Sequence, residues 1–238
     1  RSVSAFLLNR SSDLRFSYLN KYVFPEKIKK AHENGLIHIH DTDYIFQGMH
    51  NCDLINLEDM LMNGTAISGT RIDSPHSFTT ACTIASQIAA AVASVQLGGQ
   101  TMSLAHLTPF VNRSRSRIKK RLVKEFAESN IKYSEEQLNQ IVEKEVKKEV
   151  ESGCQTIQYQ LITLHSTNGQ APFITLYMDL NEAKNKEEEK DLALIIEVFL
   201  RQRILGVKNQ QGRYVAPAFP KLIYCLDENN IHEESEYF

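Results

Sequence analysis

The 238-residue chain carries a formal net charge of −2, with 42% apolar and 24% charged residues. That balance belongs to a globular protein able to bury a sizeable core, and it supplies no overall field to attract nucleic acid or a membrane surface. The four cysteines, Cys52, Cys82, Cys154 and Cys225, form no CxxC or CxxH pair; this argues against a local zinc knuckle and for a reducing, cytoplasmic compartment.

No secretory signal is visible, and the longest apolar stretch, around Ala81 to Leu97, is interrupted by Ser, Gln and Thr. It reads as a buried helix rather than a membrane span. The sequence opens on Arg1 and closes on a polar run from Glu233 to Phe238, so the expectation is an excised fragment.

In chain order, Pro25 at a first turn and Gly35 past a last one bracket a short helix, Pro25 to Asn34. Leu36 to His40 alternates apolar residues with His and predicts a strand, as does the run from Asp53 to Leu57. Gly64, Gly69 and Pro75 mark a loop-rich passage. From Ser77 to Leu97 small and apolar residues predict a helix packed on most of its surface, ended by Gly98-Gly99-Gln100. A basic helix follows, starting at Leu104 or Pro109 and reaching about Glu128.

Ser134 with Gln137 forms a capping box, opening a helix that runs to about His165. Its apolar positions, Leu138, Val142, Val146, Val150, Cys154, Ile157, Leu161 and Leu164, step by three or four. Phe173 to Asp179 is the clearest strand, Lys186 to Leu205 a helix stopped by Gly206, and Pro220 to Asp227 a further strand. Strands separated by helices predict an α/β layout with parallel pairing, here as one incomplete domain over residues 1–238.

His38 and His40 share one face of the predicted strand. Three readings stand: a metal pair with His50 as third ligand, hydrogen-bonded structural histidines, or a polar substrate-binding edge. Cys52 heads an apolar run, a poor metal site but a plausible redox or radical site; on residue chemistry alone, packing is the commoner fate of a free cysteine. Cys82, Cys154 and Cys225 read as core. The basic run Arg113 to Arg121 lacks interleaved aromatics for base stacking, so it reads as a solvated helix or, more sharply, a local clamp for a nucleotide phosphate tail.

Several separated blocks, in order, carry a resemblance. They are Arg1-Ser2-Val3-Ser4, Gly35-Leu36-Ile37-His38-Ile39-His40-Asp41, Asn51 through Leu61, the Gly98-Gly99-Gln100 turn, and Phe219-Pro220-Lys221-Leu222. The chain resembles the anaerobic (class III, glycyl-radical) ribonucleoside-triphosphate reductases. The resemblance implies roughly the first half of a ten-stranded α/β barrel built of two parallel five-stranded halves. It implies reduction of ribonucleoside triphosphates to deoxyribonucleoside triphosphates by thiyl and glycyl radical chemistry, with formate as reductant.

By position, Cys52 resembles the cysteine that donates hydrogen to the ribose, with Asn51 hydrogen-bonding sugar or reductant and His38 and His40 lining the pocket. A deoxynucleotide or ATP effector is expected within a helix-rich dimer region, about 77–165, with Asp73, His76, Gln87 and Lys119 as contacts. The resemblance further implies a homodimer and a radical-SAM activating enzyme. The radical glycine, the four-cysteine zinc site, the loop-borne thiyl cysteine and the regulatory ATP cone of that family have no counterpart in this sequence, so the fragment alone is expected to be inactive. Another glycyl-radical enzyme, a metal-dependent hydrolase centred on His38, His40 and His50, and a non-catalytic nucleotide-binding module are the competing readings.

Overall fold

In the computed structural model the described residues are 22–39, 50–96, 98–165 and 172–237. The chain divides into two compact units, Arg1–Asn51 with Val95–Leu97, and Cys52–Ser94 with Gly98–Phe238.

In the first unit, α1 spans Glu26–Glu33 with Pro25 at its N-cap and Asn34 at its C-cap, as the Pro and Gly signals predict. Gly35 at φ +70° lets the chain turn back: Gly35 N–H donates to His32 O and Leu36 N–H to Ala31 O, both at 2.9 Å. This paired arrangement is a Schellman end. It corrects the strand expected from Leu36 onward, because residues 36–39 are bonded back to the helix and form no ladder. Ile39 N–H also donates to His32 Nδ1 at 3.1 Å. His50 forms a single parallel bridge with Gln96.

The second unit is built on one four-stranded sheet, all parallel, in the order β1 (Asp53–Ile55), β4 (Gln100–Ser103), β5 (Ile174–Met178), β8 (Lys221–Tyr224). Between β1 and β4 the chain forms α2 (Leu57–Met62), a hairpin of β2 (Thr65–Ile67) and β3 (Thr70–Ile72), and α3 (Phe78–Ala93). The hairpin falls where a loop was expected; Ser68 and Gly69, at φ +51° and +78°, form the two-residue turn that matches strand twist. Helix α3 stops four residues before the expected Leu97, capped by Ser77 and Ser94.

Strand β4 had no sequence signal beyond four residues, and a 3-10 turn, Leu104–Leu107, joins it to α4 (Thr108–Glu128). Helix α5 (Glu135–Thr163) opens with the predicted capping box, Ser134 Oγ accepting from Gln137 N–H and Gln137 Oε1 from Ser134 N–H. A second 3-10 turn (Leu180–Glu182), α6 (Lys186–Leu205) and the hairpin of β6 (Val207–Lys208) and β7 (Tyr214–Val215) lead to β8.

Alternate strand residues face opposite sides of a sheet. Ile55, Met102, Ile174, Leu176 and Met178 are buried in one cluster with the apolar residues of α3 to α6. On the other face Leu54, Thr101, Thr175 and Lys221 lie in one register row and Ser103, Tyr177 and Ile223 in the next. Leu54 is 87% and Ile223 48% exposed there, so among the described residues of the unit this face is only partly covered while the other carries the core.

Helices α3 and α5 approach closely at Gly153, where a methyl group would meet the buried Phe78 ring at 2.6 Å. The α5 positions Leu138, Val142, Val146, Val150, Cys154, Ile157 and Leu161 are all buried as the stripe predicts, while Leu164, its last predicted member, is the C-cap and only half-buried. Cys82 and Cys154 are fully buried, as expected of core residues. Cys225 departs from the strand assigned to it: it lies one residue beyond β8 and is half-buried.

Candidate functional site

Cys52 stands at the head of β1, the edge strand of the parallel sheet, and is exposed. Two bonds fix the turn that carries it. Asp53 N–H donates to Gly99 O at 3.1 Å, locking the strand entry to the glycine turn before β4. Asn56 Oδ1 accepts from Asp59 N–H at 3.3 Å and starts α2 immediately after β1. The short apolar run is therefore a strand of three residues followed by a helix, and Leu57, read as strand, opens that helix and is buried. Asn51 precedes Cys52 directly and is exposed.

In the first unit His38 is exposed, its ring 5.5 Å from that of His32, so the turn after α1 holds it. His40 lies outside the described residues. Among the described residues no three His, Cys, Asp or Glu side chains gather as a metal site. No described helix is long and apolar enough to cross a membrane.

The basic face of α4 is organised by acids, not left to solvent. Arg115 lies at 2.5 Å from Asp191 and 2.7 Å from Glu143, Arg117 at 3.0 Å from Glu149, and Arg121 against both Glu125 and Glu145. Lys119 bonds Glu135 at 2.5 Å and Asn139 at 3.2 Å, which ties α4 to α5. Arg113 donates to Ser74 Oγ and Pro75 O, both at 2.7 Å, and holds the loop before α3.

A cavity of about 720 Å³ opens along this helix. His76, Arg113, Arg117 and Lys120 line one side; Asn185, Glu187, Glu188 and Asp191, at the start of α6, line the other. Arg113, Ser116, Arg117 and Lys120 follow the i, i+3, i+4, i+7 spacing of a single helix face. Lys120 has no ion-pair partner among the described residues, unlike its neighbours on α4. The cleft thus sets the Lys120 ammonium and two tethered guanidinium groups on one wall, where they could meet an anion, against the Glu187, Glu188 and Asp191 carboxylates on the other. The Asn185 side chain already accepts from Glu187 and Glu188 N–H, so the start of α6 is capped and contributes little to anion binding.

Of the effector contacts expected from sequence, only His76 lines this cavity. Asp73 is exposed and 3.6 Å from Arg71; Gln87 is exposed midway along α3. Lys120 and Arg117 were visible only as members of a basic run; nothing local distinguishes them from Lys119. The helix turn of about 100° per residue separates them, and that needs the tertiary neighbours of α4 to interpret.

The model of one family, described as anaerobic ribonucleoside-triphosphate reductase, matches residues 1–238. The chain belongs to that family. The anaerobic ribonucleoside-triphosphate reductase of Escherichia coli K12 is 34% identical over 222 residues, which covers 92% of this chain and 29% of that protein. The reductase of Enterobacteria phage T4 is 32% identical, covering 91% of this chain and 34% of its own length. This chain therefore spans about a third of the reductases it matches.

Among solved structures, the Thermotoga maritima anaerobic ribonucleotide reductase in complex with dATP and CTP superposes with a TM-score of 0.57 at 15% identity, covering 85% of this chain and 36% of that one. The same reductase with citrate in its active site gives 0.55 over 86% of this chain. At such identity the likeness concerns the fold, and the fold agrees with the α/β barrel half expected from the sequence.

Proposed function

We propose that this chain is the part of an anaerobic ribonucleoside-triphosphate reductase that carries the cysteine reducing the ribose. The observation that carries the reading is Cys52, exposed at the head of an edge strand of a wholly parallel sheet, in a member of that family. In this reading residues 1–238 are one incomplete catalytic domain. The chemistry is replacement of the 2′ hydroxyl of a ribonucleoside triphosphate by hydrogen through a thiyl radical, generated by a glycyl radical on residues outside this chain, with formate as the source of electrons.

Cys52 donates hydrogen to one face of the ribose, Asn51 donates a hydrogen bond to the sugar or the reductant, and His38 and His40 line the pocket. The enzyme works in the cytoplasm as a homodimer, is activated by a radical-SAM protein and keeps a structural zinc elsewhere in its length. This chain alone does not turn over.

The region 77–165 holds the nucleotide that selects the substrate base. Asp73, His76, Gln87 and Lys119 were the contacts expected from the resemblance. The cavity beside α4 supports a sharper assignment in which His76, Arg117 and Lys120 meet the triphosphate, while Lys119 acts by tying α4 to α5.

Calorimetric titration with dATP, dGTP, dTTP and ATP tests this. One deoxynucleotide binds selectively, and Lys120→Ala weakens it by roughly tenfold, the loss of one exposed charge-assisted contact. Unchanged affinity in Lys120→Ala removes the cavity from the effector site. No binding by a folded chain removes the effector assignment and leaves family membership in place.

A further inference from the structure

At the C-terminal ends of β5 and β8 three side chains form one hydrogen-bonded row. Cys225 Sγ donates to Tyr177 Oη at 2.9 Å, and Tyr177 Oη donates to Asp179 Oδ2 at 3.2 Å. The row is held at both ends. Asn181 donates to Asp179 Oδ1 through N–H at 3.0 Å and Nδ2 at 3.1 Å, and the same Nδ2 reaches Asp227 at 2.5 Å. Cys225 N–H donates to Met178 O at 2.9 Å, and Asn230 Nδ2 donates to Cys225 O at 3.0 Å.

Tyr177 sits between Leu176 and Met178, both buried in the core, so strand alternation puts the phenol on the open face of the sheet. Tyr177 and Cys225 are both half-buried and can be reached from that side.

The arrangement places a thiol against a phenol. The phenol is kept protonated: its hydrogen bond with Cys225, then burial, then the Asp179 carboxylate push Tyr177 above the ordinary tyrosine range. Two X–H groups of similar bond strength, S–H and phenolic O–H, therefore lie in contact with no third group to be moved. Asp179, pinned by Asn181, is the positioning residue that holds the phenol beside the sulfur.

We propose that Cys225 and Tyr177 form a hydrogen-atom relay that ends carbon-centred radicals reaching the open face of the sheet. In the first step a radical R• takes the hydrogen atom of the thiol, giving R–H and a Cys225 thiyl. In the second the O–H of Tyr177 breaks and the S–H reforms, leaving the unpaired electron on the phenol oxygen. Each step moves one hydrogen atom, so no charge, proton or electron is left over. The 2.9 Å contact makes the second step intramolecular; once the thiol hydrogen is gone, the hydroxyl hydrogen turns from Asp179 to the sulfur. The relay's purpose rests on the radical reading proposed above: a sugar radical that strays from its normal course is quenched before it attacks the backbone.

The test needs no nucleotide and no turnover, so its failure is distinct from failure of the reductase reading. Carbon-centred radicals are made by radiolysis of 2-propanol in oxygen-free buffer containing the chain, and tyrosyl radical is followed by its visible absorption and paramagnetic resonance. The wild-type chain gives the tyrosyl signal; Cys225→Ser and Tyr177→Phe lose it. With nine tyrosines in the chain, the Phe variant is what assigns the signal. Thermal unfolding followed by circular dichroism checks that each variant is folded, and the two variants perturb the row from opposite sides. No tyrosyl signal in the wild type, or a signal that persists in either folded variant, overturns the proposal.

Discussion

Replacing Gly153 by alanine isolates the contact on which the helical layer depends. A Cβ at this position would lie 2.6 Å from Cδ1 and Cε1 of Phe78 and 2.9 Å from Sγ of Cys82. Carbon atoms prefer about 3.5–4.0 Å, so the overlap with the ring is roughly 1 Å. Neither neighbour can yield easily, since both are completely buried and the Phe78 N–H is bonded to Ser114 Oγ at 2.8 Å.

Overpacking of this kind costs about 1–3 kcal/mol, while exchanging glycine for alanine inside a helix returns about 1 kcal/mol. The clash with a fully buried ring puts the cost at the upper end of that range, and the net effect is a loss of up to about 2 kcal/mol once that return is subtracted. Urea unfolding measures it as a lower midpoint at unchanged slope. Ser152→Ala, on the exposed side of α5, is the control and stays within about 0.5 kcal/mol of wild type. A Gly153→Ala chain more stable than wild type would refute the argument that α3 and α5 are in contact through a side-chain-free position.

Two further outcomes follow from buried charge. Asp191 has a side chain only 6% exposed and is held by Arg115, so Arg115→Ala strands it and destabilises the chain by about 3–5 kcal/mol at neutral pH. Burial already raises the Asp191 carboxyl, against the opposing pull of Arg115; a raised folded value means the folded state holds its proton more tightly, so stability rises as pH falls through that window. The variant therefore regains part of its loss on acidification, and urea titrations across the acidic range check it.

His106 is lowered, first by burial, with Glu182 and Glu58 opposing and Lys184 reinforcing. Its stabilising contribution is full above the unfolded histidine value of about 6.5 and is lost as pH falls below it. His106→Gln flattens that part of the stability profile; an unaltered slope in the variant would contradict it.

What the sequence made legible depended on whether a signal was local. Helix α1 announced itself through Pro25 and Gly35, α5 through Ser134 and Gln137, and α6 through Gly206, all of which act within a turn of the helix end. Strand β4 was hidden because its four residues include Gln100, a polar side chain buried only by virtue of its bond to Ala89 O on α3. The alternation from Leu36 imitated a strand, but the bonds after Gly35 return the backbone to α1.

The site divides along the same line. Cys52 and Asn51 stood out because a motif surrounds them. The cavity did not, since it joins His76, the α4 face and the start of α6, segments far apart in sequence. Likewise the partnership of Tyr177 with Cys225 spans two strands and 48 residues, and only the register of β5 with β8 brings it about.

Reduction of the ribose by Cys52 is open to direct measurement. Its most direct test is Cys52→Ser in the full-length reductase, activated under strict anaerobiosis and supplied with labelled ribonucleoside triphosphate and formate. In that variant the glycyl radical still forms and effector still binds while deoxyribonucleotide production is abolished. Undiminished product from Cys52→Ser would contradict it.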